Sequence, residues 1–140
     1  MTELQIEEFK KKASNYRFNL KLLEHLDERI DVTFYQMTGV SAVKFDTIRV
    51  NVSEQQKADR YHKLSERLES LMNDRDVILE HINYVDKIIG KMNEYDSNIF
   101  KLKYHDGLTF EAIGKMCYLS KSGVVYQFEK VLKELNIDEE

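Results

Sequence analysis

The chain has 140 residues, a formal net charge of −4 and charged side chains at 33% of its positions. Its apolar runs last only a few residues, whereas a membrane-spanning helix needs roughly 20, so the composition excludes a transmembrane segment. The N-terminal stretch MTELQIEEFKKK lacks the order of a secretory signal, and the single Cys117 leaves no intramolecular disulfide. We therefore expect a cytoplasmic protein, without membrane contact, built as one small domain attached to an extended helical element.

The first predicted element is a long N-terminal helix. No proline interrupts the chain, and apolar side chains recur alternately every three and four residues, which is the spacing of a helix with one apolar seam. One charged residue, Asp27, interrupts this seam. The seam consists of Phe9, Ala13, Tyr16, Leu20, Leu23, Asp27, Ile30, Phe34 and Met37.

A connector follows, from residue 38 to residue 52. Near its end Ile48, Val50 and Val52 alternate with polar residues, and this period of two predicts an extended arm or a short strand. The arm would pair with a second subunit, or bring Lys44 and Arg49 to a phosphate. The simpler interpretation is an ordered loop that packs along the neighbouring helices.

A second long helix is predicted from about Ser53 to about Gly90 or Met92. Ser53 and Gln56 have the spacing of a capping box, and the seam that follows contains one charged residue, Arg75. If the two long helices form an antiparallel hairpin, Arg75 lies opposite Asp27. Charges in an apolar seam are tolerated when they are paired, so we predict this contact. Alternatively, both side chains extend to solvent at the seam edge. The second seam consists of Tyr61, Leu64, Leu68, Leu71, Arg75, Ile78, Ile82, Val85, Ile89 and Met92.

Three shorter helices are predicted in the C-terminal part. Asn93 caps the first, which ends at Gly107, Thr109 begins the second, and Ser120 caps the third. Gly114 lies where two helix backbones approach closely. The third helix has an apolar face with the periodicity of an amphipathic helix. This face consists of Val124, Phe128, Val131, Leu132 and Leu135.

The opposite face of the third helix carries hydrogen-bond donors. From Ser97 to Leu135 there are six basic and four acidic residues, a local charge of +2, although Glu129 would repel phosphate unless it accepts from a cytosine amino group. Gln and Lys bond base edges in the major groove, whereas Ser, Thr, Tyr and Lys bond phosphates. The candidate DNA-binding residues are Thr109 and Lys130 on phosphates and Lys121, Ser122, Tyr126 and Gln127 in or beside the groove.

Signatures of other chemistry are missing from the sequence. The four histidines have no ligand spacing with each other or with Cys117, and there is no phosphate-binding glycine loop, triad-like cluster or paired carboxylates. We therefore expect no metal, no cofactor and no enzymatic activity.

The C-terminal run L-T-F-E-x-I-G-x(5)-S-x-x-x-V-x-x-x-F-x-K-V-L-x-x-L resembles the helix-turn-helix of region 4 of bacterial sigma factors. Ten residues match its pattern without a gap, but Tyr118 occupies the turn position where such motifs usually have glycine. A tyrosine with positive φ would be strained, so the turn is either rearranged or strained. The matching residues are Leu108, Thr109, Phe110, Glu111, Ile113, Gly114, Ser120, Val124, Phe128 and Leu135.

The segment GVSAVKFDTIRVNVS and the long charged helix after it also resemble phage and prophage late transcription regulators of the RinA and ArpU type. This resemblance covers about Gly39 to Leu135 and implies a regulator of packaging and structural genes in a low-GC Gram-positive host. The expected partners are double-stranded DNA and, because a single helix-turn-helix binds weakly, a second copy of the chain or RNA polymerase.

Together these features predict an all-α protein. A long antiparallel helical hairpin in residues 1–92 would support oligomerisation, as a dimer or higher, and a sigma-like helix-turn-helix domain would occupy residues 93–137. The leading hypothesis is a sequence-specific DNA-binding transcriptional regulator. The alternative is a coiled-coil interaction protein that docks on RNA polymerase or a repressor without reading DNA.

Overall fold

The computed structural model describes residues 1–38 and 53–137, and all regular structure in these two ranges is helical. This confirms the all-α class. No helix within the described ranges is both long and apolar enough to cross a membrane. The connector from 39 to 52, with its candidate strand, lies outside the described residues. The helices are α1 (Glu3–Ser14), α2 (Tyr16–Thr38), α3 (Glu54–Gly90), α4 (Glu94–Tyr104), α5 (Phe110–Cys117) and α6 (Lys121–Glu134).

The chain divides into two compact units. The first unit combines Met1–Leu20 with Glu80–Glu140, and the second is Lys21–Leu79. The N-terminal helix α1 belongs with the C-terminal helices because its Phe9 ring packs on two rings of α4. The ring centroid of Phe9 lies 6.1 Å from that of Phe100 and 5.9 Å from that of Tyr104.

Aromatic rings form the centre of the first unit. Phe128 of α6 stacks on Phe100 of α4 with ring centroids 4.2 Å apart, and it forms a T-shaped pair with Phe110 of α5 with ring centroids 5.2 Å apart. Such pairs contribute beyond the apolar area that they bury, so these rings hold α4, α5 and α6 together. Aliphatic side chains complete this core, namely Val85, Ile88, Ile89, Ile99, Ile113, Val124 and Leu132.

The predicted N-terminal helix is interrupted at Asn15, between α1 and α2. Asn15 has φ −94° and ψ 2°, and its backbone N–H donates to the carbonyl of Lys12. Its own carbonyl accepts from the N–H of Asn19 at 2.8 Å, so the hydrogen-bond chain continues through the turn. Ala13 and Tyr16, on either side, are both buried. The spacing of apolar residues therefore continues across the break and does not reveal it.

In the second unit, the predicted contact between Asp27 and Arg75 is confirmed. Arg75 Nε donates to Asp27 Oδ1 at 2.6 Å. The side chain of Asp27 is 48% exposed and that of Arg75 is 37% exposed, so the pair lies where the apolar side chains meet solvent. Water screens such a pair, which limits its contribution to stability to about 1 kcal/mol or less.

The buried stripe of α2 differs from the predicted seam by one residue. Asn19, Leu26 and Thr33 are buried, whereas the predicted seam residues Leu20 and Phe34 are 41% and 51% exposed. The buried positions repeat every seven residues, as predicted, so the period of the stripe is kept and its register is shifted. Thr33 is accommodated there because its hydroxyl donates to the carbonyl of Arg29 in its own helix at 2.8 Å.

The predicted helix caps are present in both units. Ser53 Oγ accepts from the N–H of Gln56 at 3.2 Å, and the Gln56 side chain accepts from the N–H of Ser53 at 3.1 Å, which completes the capping box. Asn93 Oδ1 accepts from the N–H of Asp96 at 2.8 Å and begins α4. After α4, Gly107 adopts the left-handed conformation with φ +73°. These caps confirm the predicted starts of α3 and α4 and the turn that follows α4.

Candidate nucleic-acid interface

Helices α5 and α6 are joined by a short turn, and each begins at its predicted cap. Thr109 Oγ1 accepts from the N–H of Ala112 at 3.1 Å at the start of α5. Ser120 Oγ accepts from the N–H of Gly123 at 3.0 Å at the start of α6. The connection between the helices is therefore only the segment from Tyr118 to Ser120.

A close approach is present at Gly114, but the backbone that approaches it is that of Leu119 in the turn and not that of a second helix. Gly114 is buried, and its carbonyl accepts from the N–H of Leu119 at 2.8 Å, which folds the turn back onto α5. A Cβ atom at position 114 would lie 2.5 Å from the carbonyl oxygen of Leu119, closer than real Cβ atoms approach. Glycine is therefore required here by the neighbouring backbone.

Of the two alternatives for the turn, rearrangement or strain at Tyr118, the structure shows strain at Tyr118. Its φ of 59° and ψ of 38° lie in the left-handed region, so the turn is kept and the tyrosine adopts an unfavourable conformation. This geometry costs a residue other than glycine about 1–2 kcal/mol. The side chain is 96% exposed, so packing does not offset the cost.

Replacing Tyr118 with glycine should raise the free energy of unfolding by about 1 kcal/mol. The gain in backbone geometry exceeds the extra entropy that glycine gives to the unfolded chain. Tyr118→Ala is the matched control, because it removes the same ring but keeps a Cβ at positive φ, and it should leave stability nearly unchanged. Urea unfolding of the three proteins measures both effects. Equal stability of the glycine and alanine variants would contradict strain at this residue.

Five of the six candidate DNA-binding side chains are exposed. Ser122, Tyr126 and Lys130 follow one another at intervals of four residues and therefore lie on one side of α6. Tyr126 keeps 69% of its surface exposed, whereas Phe128 of the same helix keeps 3%. Lys121 is exposed in the first turn of α6, and Thr109 is exposed at the cap of α5. Helix α6 is therefore anchored by one side and presents polar groups on the other.

Gln127, the sixth candidate, already has a partner within the protein. It is partly buried, and its Nε2 donates to Asp96 Oδ1 in the first turn of α4 at 3.2 Å. Contact between Gln127 and a base would require this hydrogen bond to break. The sequence contains no local signal for it, because the two residues are 31 positions apart.

Glu129, the acidic residue near this surface, forms an ion pair with Lys10, which is not among the residues predicted to bind DNA. Lys10 Nζ of α1 donates to Glu129 Oε1, and the two side chains remain 43% and 37% exposed. The carboxylate also lies close enough to Tyr104 to act on its hydroxyl. Burial, and secondarily the charge of Glu129, raises the pKa of Tyr104 to about 12, so this phenol is neutral at physiological pH.

A second polar cluster joins the start of α2 to α3 and to the end of α4. The Tyr16 hydroxyl donates to Asp86 Oδ1 at 2.8 Å, and the Tyr16 ring stacks on His105 with centroids 4.5 Å apart. His105 Nε2 lies 3.5 Å from the same carboxylate oxygen, too poorly placed for a hydrogen bond. Burial and the contact with Asp86 raise the pKa of Tyr16. These side chains connect three helices.

Across residues 1–38 and 53–137, no group of three or more His, Cys, Asp or Glu side chains is arranged to hold a metal ion. A scan against protein-family models finds no match, and neither do searches of curated proteins and of solved structures.

Proposed function

We propose that this protein is a sequence-specific, DNA-binding transcriptional regulator in which α5 and α6 act as a helix-turn-helix. The observation that carries the proposal is the division of α6 into a buried side and an exposed polar side with Lys121 at its start. A helix that is held from one side fits into the major groove, which is about 12 Å wide. The short turn and the close approach at Gly114 support this assignment.

The exposed side chains divide between base edges and phosphates. Lys121 and Tyr126 lie in the first half of α6, the part of a recognition helix that enters the groove. Ser122 and Lys130 are placed on the same exposed surface and would bond phosphate oxygens. The hydroxyl of Thr109 accepts the cap hydrogen bond and keeps its proton to donate to a phosphate. Gln127 reads a base only after it leaves Asp96, so its contribution is the smallest.

The biological setting follows from the resemblance to sigma region 4 and to phage late regulators. The protein would then control packaging and structural genes of a phage or prophage. A single helix-turn-helix buries little surface, so useful affinity requires a second copy of the chain or a contact with RNA polymerase. Helices α2 and α3 would form the antiparallel hairpin that supports such assembly, and the contact between Asp27 and Arg75 supports this pairing.

Binding to duplex DNA by fluorescence anisotropy, over a series of salt concentrations, tests the proposal. Wild-type protein should lose affinity linearly in log K against log salt, with a slope of about 0.9 per phosphate contacted. The double variant Lys121→Ala/Tyr126→Ala should bind at least about ten-fold more weakly at low salt, since one good groove contact contributes about 1–3 kcal/mol. Circular dichroism should show the same helix content.

Lys63→Ala is the matched control for this experiment. Lys63 is an exposed lysine on α3 in the second unit, so its removal makes a comparable charge change outside α5 and α6. It should bind as wild type does. An equal loss in the control and in the double variant would show that binding depends only on total charge, and would contradict a reading surface on α6.

A second candidate function is docking on another protein, and the surface around the turn favours it. Met116 and Tyr118 are 58% and 96% exposed, close in sequence to the polar residues of α6. Exposed apolar groups of this kind are typical of interaction surfaces. If the wild-type protein binds no duplex at low salt, DNA reading is excluded. Pull-down with purified RNA polymerase, comparing wild type with Tyr118→Ala, then tests this second function.

A further inference from the structure

The negative charge of Glu129 would oppose DNA binding at the position that this residue occupies. It follows Tyr126 by three residues and Ser122 by seven, so it lies on the same side of α6 as these exposed residues. Its side chain is 37% exposed. A carboxylate with a full charge there would repel the phosphates that flank the groove.

Lys10 compensates the negative charge of Glu129. Its Nζ contacts Glu129 Oε1, although 119 positions separate the two residues. Lys10 is held there by α1, which starts with a capping box between Thr2 and Gln5 and is anchored in the core by the fully buried Phe9. The docked helix therefore holds the backbone of Lys10 close to Glu129.

We infer that α1 is part of the DNA-binding surface, and that Lys10 is a positioning residue that neutralises Glu129 beside the phosphates. This inference rests on the proposed function. It assigns a role in binding to a helix far in sequence from the helix-turn-helix. It also explains how an acidic residue is compatible with the exposed side of α6.

Because the pair of Lys10 and Glu129 is exposed, a role in DNA binding can be distinguished from a role in folding. Ion pairs as exposed as Lys10 and Glu129 contribute little to folding, because water screens the charges and the side chains lose freedom. Loss of Lys10 should therefore change affinity for DNA much more than it changes the unfolding temperature.

Four proteins test the inference: wild type, Lys10→Met, Glu129→Gln and the double variant. Methionine keeps the length of the lysine stem, and glutamine keeps the shape of the carboxylate. Affinity for one duplex is measured by anisotropy at low salt, with thermal unfolding as a second measurement. Lys11→Met is the matched control, since Lys11 is the adjacent lysine of α1 and its side chain is exposed.

The expected result is a loss of affinity that the second substitution reverses. Lys10→Met should weaken binding about five-fold, because it leaves the negative charge of Glu129 uncompensated near several phosphates. Glu129→Gln should restore most of the affinity lost in Lys10→Met, and alone it should strengthen binding, because it leaves the positive charge of Lys10 uncompensated. Lys11→Met should bind within about two-fold of wild type.

Other results overturn the inference in distinguishable ways. If Glu129→Gln restores no affinity to Lys10→Met, the loss does not come from an uncompensated Glu129, and Lys10 does not neutralise it. If all variants bind as wild type does, the pair has no role in binding, although the proposed function stands. Failure of the wild-type protein to bind any duplex at low salt would overturn both the proposed function and the inference.

Discussion

Replacing Phe128 with alanine should lower the free energy of unfolding by about 3–5 kcal/mol. Phe128 is 3% exposed, and its ring is stacked on Phe100 with centroids 4.2 Å apart and meets the edge of Phe110 at 5.2 Å. The deletion leaves a cavity at the centre of the first unit and removes ring contacts from three helices. A loss of this size is a large part of the stability of a small protein.

Urea unfolding followed by circular dichroism measures this loss. Tyr126→Ala is the matched control, because it makes a similar aromatic-to-alanine change two positions away on α6, where the side chain is 69% exposed. The control should change stability by no more than about 0.5 kcal/mol. Similar small losses in both variants would mean that α6 does not dock through Phe128.

Replacing Gly114 with alanine should lower the free energy of unfolding by about 1–3 kcal/mol. Alanine is the better helix former by about 1 kcal/mol, so propensity alone predicts the opposite sign. The steric term dominates because the new Cβ would meet the carbonyl oxygen of Leu119 at 2.5 Å. That backbone is held by its own hydrogen bond to the carbonyl of Gly114 and has little room to move.

Gly90→Ala is the control that separates the steric effect from helix propensity. Gly90 is the last residue of α3, and a Cβ built there meets nothing within 4 Å. Alanine at this position should be neutral or stabilising by up to about 1 kcal/mol. If both alanine variants were more stable than wild type, the backbones at Gly114 would not be in close contact. Weaker DNA binding by Gly114→Ala would show that binding also depends on the angle between α5 and α6.

Features that depend on neighbours in the sequence are well predicted here. The cap at Ser120 and the capping box of Ser53 each join residues that lie three positions apart, so their chemistry is visible in the printed sequence. The close approach at Gly114 is visible for the same reason, because the turn that folds back onto it follows directly. Asp27 and Arg75 are 48 positions apart in the sequence. Their contact is nevertheless predicted, because each of the two regular seams contains one charged residue.

Features that depend on how helices dock are not predicted. The pairing of Lys10 with Glu129 requires α1 to pack beside α6, and no pattern in either helix specifies this. The bond between Gln127 and Asp96 likewise follows from the docking of α6 on α4. Because the apolar spacing of the N-terminal helix continues through Asn15, α1 is assigned by sequence to a long hairpin rather than to the C-terminal helices. Tertiary packing, not local preference, decides these three points.

At Tyr118, in the turn between α5 and α6, selection for stability and selection for activity should favour different residues. Tyr118 has a left-handed backbone and an almost fully exposed ring, so folding gains nothing from it. In a library randomised at this position, selection for heat resistance alone should enrich glycine and asparagine, the residues that best tolerate the conformation. Selection for activity in the cell should retain tyrosine only if the ring contacts a partner. The outcome at this one position would show whether the turn itself is a functional surface.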